Sequence, residues 1–372
     1  MLTSIKASRC APRWNHGSTY DPIGRFISRR RYSQIIFSGI QPTGVPHLGN
    51  YLGALRQWVR LQDSAETSTK LLYSLVDLHA ITIRQDPAQL RQWKEESLAI
   101  LLAIGLNPER SIIYHQGDVS SHAELMWILS CQASTGYLGR MTQWKEKTGN
   151  GRENSERLKL GLFSYPVLQA ADVLLYQTTH VPVGHDQAQH LEFARELAIG
   201  FNSVYGNGEQ ILTAPETIIS PARRIMSLTE PTSKMSKSHA NAKSRILLTD
   251  TSQVISAKLK AAITDSVNGI TYDPEARPGV SNLIDILYHA RHDRDDITKA
   301  ELAKEFEGRS LRMLKEEVAT AIEQVVGPIR ERYESIVANK SALRDIAQSG
   351  AQKAAEAARP TLLRVRQAVG LS

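Results

Sequence analysis

Cysteine is scarce: the chain has 372 residues and two cysteines, Cys10 and Cys131. No disulfide framework can be built from so few, which suits a reducing compartment. No Cys/His pattern has zinc spacing, and His289 and His292, three residues apart, are read as a solvated helix face. A protein-bound metal is therefore not expected. No apolar run approaches the roughly 20 residues that a membrane helix needs, so a membrane partner is not expected either. There is no internal repeat.

Acid is missing from one stretch. Residues 1–32 hold Lys6, Arg9, Arg13, Arg25, Arg29, Arg30 and Arg31 against Asp21 alone. That segment accounts for nearly all of the net charge of +7 and leaves the rest close to neutral. The basic excess is thus no nucleic-acid footprint. It belongs to an Arg-rich, Ser-containing leader with no apolar segment, the composition of an organelle transit peptide. Arg30-Arg31-Tyr32-Ser33 resembles a matrix-peptidase site cut after Tyr32. Loss of the leader would remove Cys10, and the expected destination is the mitochondrial matrix.

From Ser33 onward, short apolar runs alternate with helical stretches. Ile35-Ile36-Phe37 reads as a strand ending in a turn over residues 38–44. Residues 50–62 read as a helix, 71–76 as a strand, 86–104 as a helix capped by Asp86-Pro87, 112–114 as a strand and 122–131 as a helix. This order predicts an α/β fold, a Rossmann-type parallel sheet with helices on both faces. Residues 149–157 read as a polar loop. Beyond residue 250 strand signals fade, and helical patterns run to the end with a break at 268–278. Three parts are expected: a leader over 1–32, an α/β catalytic domain over 33–249, and a helical domain over 250–372.

Two segments have the chemistry of phosphate handling. The first joins strand to helix and runs Gln41-Pro42-Thr43-Gly44-Val45-Pro46-His47-Leu48-Gly49-Asn50. In a parallel sheet, ligands sit at the carboxyl ends of strands. Glycines admit a bulky ligand, the helix N-terminus offers free N–H groups, and His47 adds a donor. Gly39 and Gly44 also suit an ordinary turn. The second segment, Lys234-Met235-Ser236-Lys237-Ser238, puts two ammonium groups and two hydroxyls in a short loop, where they can meet the charge of a departing pyrophosphate. A solvated basic loop is the plain alternative. A third feature is Asp172, in the apolar stretch Leu168-Gln169-Ala170-Ala171-Asp172-Val173-Leu174-Leu175. A carboxylate there needs a hydrogen-bonding partner, either a local backbone group or arginine, or a ligand.

These segments resemble the two signatures of class I aminoacyl-tRNA synthetases. The blocks Phe37-Ser38-Gly39-Ile40-Gln41-Pro42-Thr43-Gly44, Val76-Asp77-Leu78-His79-Ala80-Ile81-Thr82 and Val181-Pro182-Val183-Gly184-His185-Asp186-Gln187 resemble the tryptophanyl branch of bacterial and mitochondrial type. Similarity runs from about residue 35 to 370. The resemblance implies that Asp172 accepts the indole N–H, a donor that phenylalanine lacks. It implies that Phe37, Gly39, His79, Val181 and Val183 line the indole slot, and that Tyr165, Gln169 and Gln187 hold the amino-acid ends. Gly184, His185 and Asp186 would face the ATP ribose, with Ile225 and Met235 near adenine. His47, Asn50, Lys147, Lys234 and Lys237 would act on the phosphates. Mg-ATP, tryptophan and tRNA(Trp) are the implied reactants, and a homodimer the implied assembly. Three positions depart from the family: His185 where Glu is usual, His239-Ala240 for Asp-Pro, and Gln169 where bacterial members often have Met. The nearest alternative is the tyrosyl branch. Another is an RNA-binding paralogue without catalysis, against which Gly49, Asp172, Lys234 and Lys237 argue.

Overall fold

Alternation along the strands decides the layers. In Ile35–Ile40 (β1), Ile36 enters one core and Phe37 another. In Lys70–Leu75 (β2), Leu71, Tyr73 and Leu75 join the first and Leu72 the second; in Ile112–His115 (β3), Ile113 and Tyr114 divide likewise. A strand apolar on both sides needs helices on both sides. The computed structural model has this arrangement. It describes residues 34–148, 159–219, 225–237, 239–291 and 297–372. The leader, the loop at 149–157 and Ser238 lie outside the described residues. With His180–Val183 (β4) and Glu216–Ile219 (β5), the strands form one parallel sheet in the order β3-β2-β1-β4-β5.

The expected turn at residue 38 starts later. Ser38, Gly39 and Ile40 stay in β1, paired with Tyr73, Ser74 and Leu75. Gly39 serves as a strand residue there, since a Cβ would come 2.9 Å from Val76. The next helix begins at Leu48–Asn50 (α1), passes through a π-helical turn at Tyr51–Leu55, and continues as Arg56–Ser64 (α2). Asp77–Ala80 (α3) follows β2, and Pro87–Ala103 (α4) is capped by Asp86 as read from the sequence. Ser121–Ser130 (α5), Thr135–Arg140 (α6), Thr142–Thr148 (α7), Leu160–Leu174 (α8) and Ala188–Tyr205 (α9) complete the α/β part.

The helical half comprises Ser252–Lys260 (α10), Pro278–Arg291 (α11), Lys299–Lys304 (α12), Leu311–Ala338 (α13) and Lys340–Val369 (α14). Its apolar faces share the core that holds Ile36, while Ala354, Ala358, Leu362 and Val365 of α14 enter the core that holds Phe37. Gly350 brings α14 onto edge strand β3, where any Cβ would lie 1.9 Å from the Ile113 carbonyl. The exposed edge is thereby covered. Arg330 of α13 donates to the Asp250 carbonyl at 2.7 Å, and the Asp250 carboxylate accepts from Lys258 at 2.5 Å and from Leu247 N–H at 2.9 Å. His289, read as solvated, is buried and meets Tyr288 edge-on at 5.2 Å. Its position on α11 faces the core, a fact that spacing to His292 did not convey. Among the described residues, no helix is long and apolar enough to cross a membrane.

Candidate active site

The chain leaves β1 toward β2 on one side, while β4 adjoins β1 on the other. Strand order reverses at that point, and a crevice opens at the carboxyl ends of β1 and β4. The first phosphate segment hangs there from β1. Its backbone is pinned to the segment preceding α10: Leu48 N–H donates to Ile246 O at 2.8 Å and Leu248 N–H to Pro46 O at 3.1 Å. The second segment is held by Met235 N–H donating to Ile225 O at 3.0 Å. The two segments touch directly, for Lys237 Nζ donates to Gly44 O at 2.7 Å.

Between them lies a cavity of about 430 Å³ lined by Ile40, Gln41, Thr43, His47, Asn50, Lys234, Met235, Ser236 and Lys237. Among the described residues, no carboxylate lines it. His47 and Asn50 form a reciprocal cap: Asn50 N–H donates to His47 Nδ1, and His47 N–H to Asn50 Oδ1, each at 3.2 Å. With Nδ1 accepting, the ring proton of the neutral imidazole sits on Nε2. Burial, then the charges of Lys237, Lys234 and Arg245, lower the His47 pKa to about 3. The imidazole is therefore a neutral donor at physiological pH. Gly49 makes room for that ring; a Cβ would meet it at 3.1 Å. Ile225, expected near adenine, is buried and packs beneath Gly49 with its Cβ 3.5 Å from that same point.

The second half of the crevice is built on α8. Tyr165, Gln169 and Asp172 follow at intervals of four and three on one face of α8, and Tyr176 lies just past its end. Tyr165 donates to Gln143 Oε1 at 2.9 Å, and Gln169 Nε2 donates to Gln187 Oε1 at 3.3 Å. Gln187 Nε2 also donates to Asp186 Oδ2 at 2.9 Å. His190 lies 3.0 Å from Gln187 Oε1 and 3.2 Å from the Tyr165 hydroxyl. The side chains of Lys147 and His185 lie outside the described residues.

Asp172 is 1% exposed, and among the described residues its partners are neither backbone groups nor arginine. His79 Nε2 donates to Oδ2 at 2.8 Å, while His122 Nδ1 and Gln116 Nε2 donate to Oδ1 at 2.7 and 2.6 Å. A carboxylate accepts at about four lone-pair sites, so the described residues leave one position on Oδ2 open. Burial pushes its pKa up, but the bonds from His122 and His79 outweigh this and hold it below the ordinary carboxylate value. Phe37 stands at the other side, stacked on Tyr176 with ring centres 6.0 Å apart. Val181 is buried and Val183 half-buried on the neighbouring strand.

Sequence reasoning missed Gln116, His122, Tyr176 and His190. A signal existed for His122: it shares a helix face with Leu125 and Leu129, both buried. Among the described residues, no group of three His, Cys, Asp or Glu side chains could hold a metal ion.

Residues 30–327 match the family of tRNA synthetases class I (W and Y). The chain is 45% identical over 350 residues to the mitochondrial tryptophan–tRNA ligase of Schizosaccharomyces pombe, covering 91% of this chain and 95% of that one. The tryptophanyl-tRNA synthetase of Mycoplasma pneumoniae superimposes with a TM-score of 0.79 at 32% identity, covering 92% of this chain and 99% of the other. That of Campylobacter jejuni, complexed with ADP and tryptophan, gives 0.75 at 30% identity, covering 91% and 100%.

Proposed function

The chain belongs to the class I tRNA synthetases of the tryptophan and tyrosine group, and from that premise we propose how its own residues carry out the reaction. Its activity is that of a tryptophan–tRNA ligase. The tryptophan carboxylate attacks the α-phosphorus of Mg-ATP, giving tryptophanyl-adenylate and pyrophosphate. The terminal ribose hydroxyl of tRNA(Trp) then takes the acyl group. The carboxylate is already a nucleophile, so the protein positions reactants and stabilises charge.

The observation that carries this reading is that β1 leads to two unlike ends, for Ile40 lines one and Phe37 stacks on Tyr176 beside the other. One is a cavity of lysines, hydroxyls and a neutral histidine donor, the other a buried carboxylate with one open acceptor site. His47 Nε2–H would donate to the α-phosphate, and Lys234, Lys237, Ser236 and Ser238 would meet the β,γ-pyrophosphate. Among the described residues the cavity lining holds no carboxylate, and Mg²⁺ would arrive on the phosphates as part of the substrate. Asp172 would accept the indole N–H, with Phe37, Gly39, His79, Val181 and Val183 as walls. Tyr165, Gln169 and Gln187 would hold the amino-acid ends, and Lys147, Gly184, His185 and Asp186 would complete the ATP side. The parts are a transit peptide over 1–32, a catalytic domain over 33–249 and an anticodon-reading domain over 250–372. Leader composition and the fungal mitochondrial relative support delivery to the mitochondrial matrix. ATP–pyrophosphate exchange by the chain from Ser33, tested with all twenty amino acids, is expected to respond to tryptophan; a response to tyrosine alone would overturn the reading.

His239, which replaces an acid, accepts from Asn241 N–H at Nδ1 (3.0 Å) and faces Glu230 Oε1 with Nε2 (3.1 Å). An Asp side chain accepts the same backbone bond. His239→Asp is therefore expected to change exchange by about twofold, the effect of the roughly 0.5 kcal/mol typical of surface substitutions. Lys234→Ala should cost about 100-fold or more. Comparable losses would contradict this assignment.

The proposed homodimer has support in exposed apolar side chains. Ile81 is 56%, Ile83 63% and Leu160 78% exposed. Their segments lie close together, since a Cβ added at Gly161 would come 3.9 Å from Thr82. Burying each would contribute about 1.5–3 kcal/mol. Ile83→Asp with Leu160→Asp is expected to weaken self-association by at least about 100-fold. Analytical ultracentrifugation showing an unchanged dimer would rule out this face.

A further inference from the structure

One buried chain of polar groups is left over by the reaction, and it ends on the indole acceptor. We propose that His122 is a positioning residue that sets selectivity for an indole N–H, by fixing the Asp172 carboxylate so that its one open acceptor site faces the slot. The inference rests on the reading of Asp172 given above.

His122 is fully buried and bonded to Asp172, and Phe37 and Val181 belong to one hydrophobic core with Tyr114 and Tyr176. Its two nitrogens have different partners. Nδ1 is 2.7 Å from Asp172 Oδ1, an acceptor, and so carries a proton. Nε2 is 2.8 Å from the Tyr176 hydroxyl and 3.2 Å from that of Tyr114. Burial pushes both phenols above their ordinary range, so each keeps a proton to donate. A hydroxyl donated to Nε2 leaves Nδ1–H pointing at Asp172, and the tautomer is set by the tyrosines. Such second partners orient a functional group as much as its direct contacts do.

Consider the carboxylate without this bond. Gln116 would remain on Oδ1 and His79 on Oδ2, leaving one open site on each oxygen. The group could then turn, or take a water in place of the indole. With His122 in place, three donors fill three sites and the fourth has one direction. Tyr176 ties the arrangement to the slot wall, because it stacks on Phe37 at 6.0 Å while its hydroxyl meets His122.

The test compares tryptophan with its isosteric analogue that has sulfur in place of the indole N–H, both in pyrophosphate exchange. The ratio of their kcat/KM values isolates the N–H contact, and the active fraction of a preparation cancels. His122→Gln keeps a polar group toward the tyrosines but loses the donor at Nδ1. It is expected to lower the ratio by about tenfold, the effect of one hydrogen bond to a charged group. His122→Asn, whose amide overlays Nδ1, should bring the ratio back to within about threefold of the parent value. A purely structural role would lower both rates together. An unchanged ratio in His122→Gln overturns the proposal. Should that variant not fold, the isosteric Tyr176→Phe decides: a ratio lowered by about threefold supports the proposal, and an unchanged one overturns it. Failure of the underlying reading is separable, since the parent chain would then not prefer tryptophan to the analogue, or Asp172→Asn would leave the ratio intact.

Discussion

Asp172→Asn is expected to lower kcat/KM for tryptophan by about 10³–10⁴-fold in pyrophosphate exchange, with a much smaller loss for phenylalanine. The substitution keeps size and shape but replaces one acceptor oxygen with an NH₂ group. If nitrogen takes the Oδ2 position, it faces His79 Nε2 and the indole N–H, donor against donor. If it takes the Oδ1 position, it faces His122 and Gln116 in the same way. The first orientation sets fewer protein donors in conflict, and it places the new donor where the substrate must bind. Phenylalanine has no N–H to repel, so discrimination between the two amino acids should collapse. Parallel losses for both substrates would show that Asp172 acts on the shape of the slot and not on the indole.

Stability should follow the same bonds. Asp172→Ala removes the acceptor shared by three buried donors, at a cost of about 1–3 kcal/mol for each donor left unpaired. Because the folded pKa lies below the unfolded one, ionised Asp172 contributes stability above the ordinary carboxylate range. That contribution is lost as pH falls through the folded value. Chemical denaturation of the parent and of Asp172→Asn should therefore converge on acidification.

How much of this could be read from residues alone depends on sequence distance. The strand, turn and helix around His47 are contiguous, and their chemistry is legible as a string. Asp172 is legible as an acid in an apolar helix, and the face it shares with Tyr165 and Gln169 follows from helical spacing. Its partners are not legible. His79, Gln116 and His122 come from elements following β2 and β3, gathered because parallel strands end on one side of the sheet. The sequence pattern gives the strands but not their order. Gly39 suits a turn by its residue type, whereas here it admits the Val76 side chain within a paired strand. The helical half was legible as helices, but the fit of α14 against β3 depends on the missing side chain of Gly350, and helical periodicity carries no trace of it.

Lys237→Ala is expected to slow adenylate formation by about 10²–10³-fold, the range for losing one preorganised charge donor, with little change in KM for tryptophan. The charge state of Lys237 makes a second, sharper test. Burial pushes its pKa down to about 8, with the Glu96 carboxylate pulling part of the way back. Only the ammonium can stabilise a departing pyrophosphate, so activity requires pH below that value in the free enzyme. Accordingly kcat/KM for ATP should fall as pH rises through about 8. Bound phosphates favour the charged form, so the corresponding limb in kcat should move to higher pH. His47 adds no limb near neutrality, because its pKa of about 3 keeps it neutral there. Stability runs the other way. Between about 8 and the ordinary lysine value of 10.5, the folded chain binds fewer protons at this site than the unfolded chain, so the site's contribution to stability rises with pH. Lys237→Arg keeps its charge throughout and should abolish the limb in kcat/KM for ATP, though the flat guanidinium will not reproduce the contact with Gly44 O. A parent profile that stays flat well past pH 8, or a limb that survives in Lys237→Arg, would place the titrating group elsewhere.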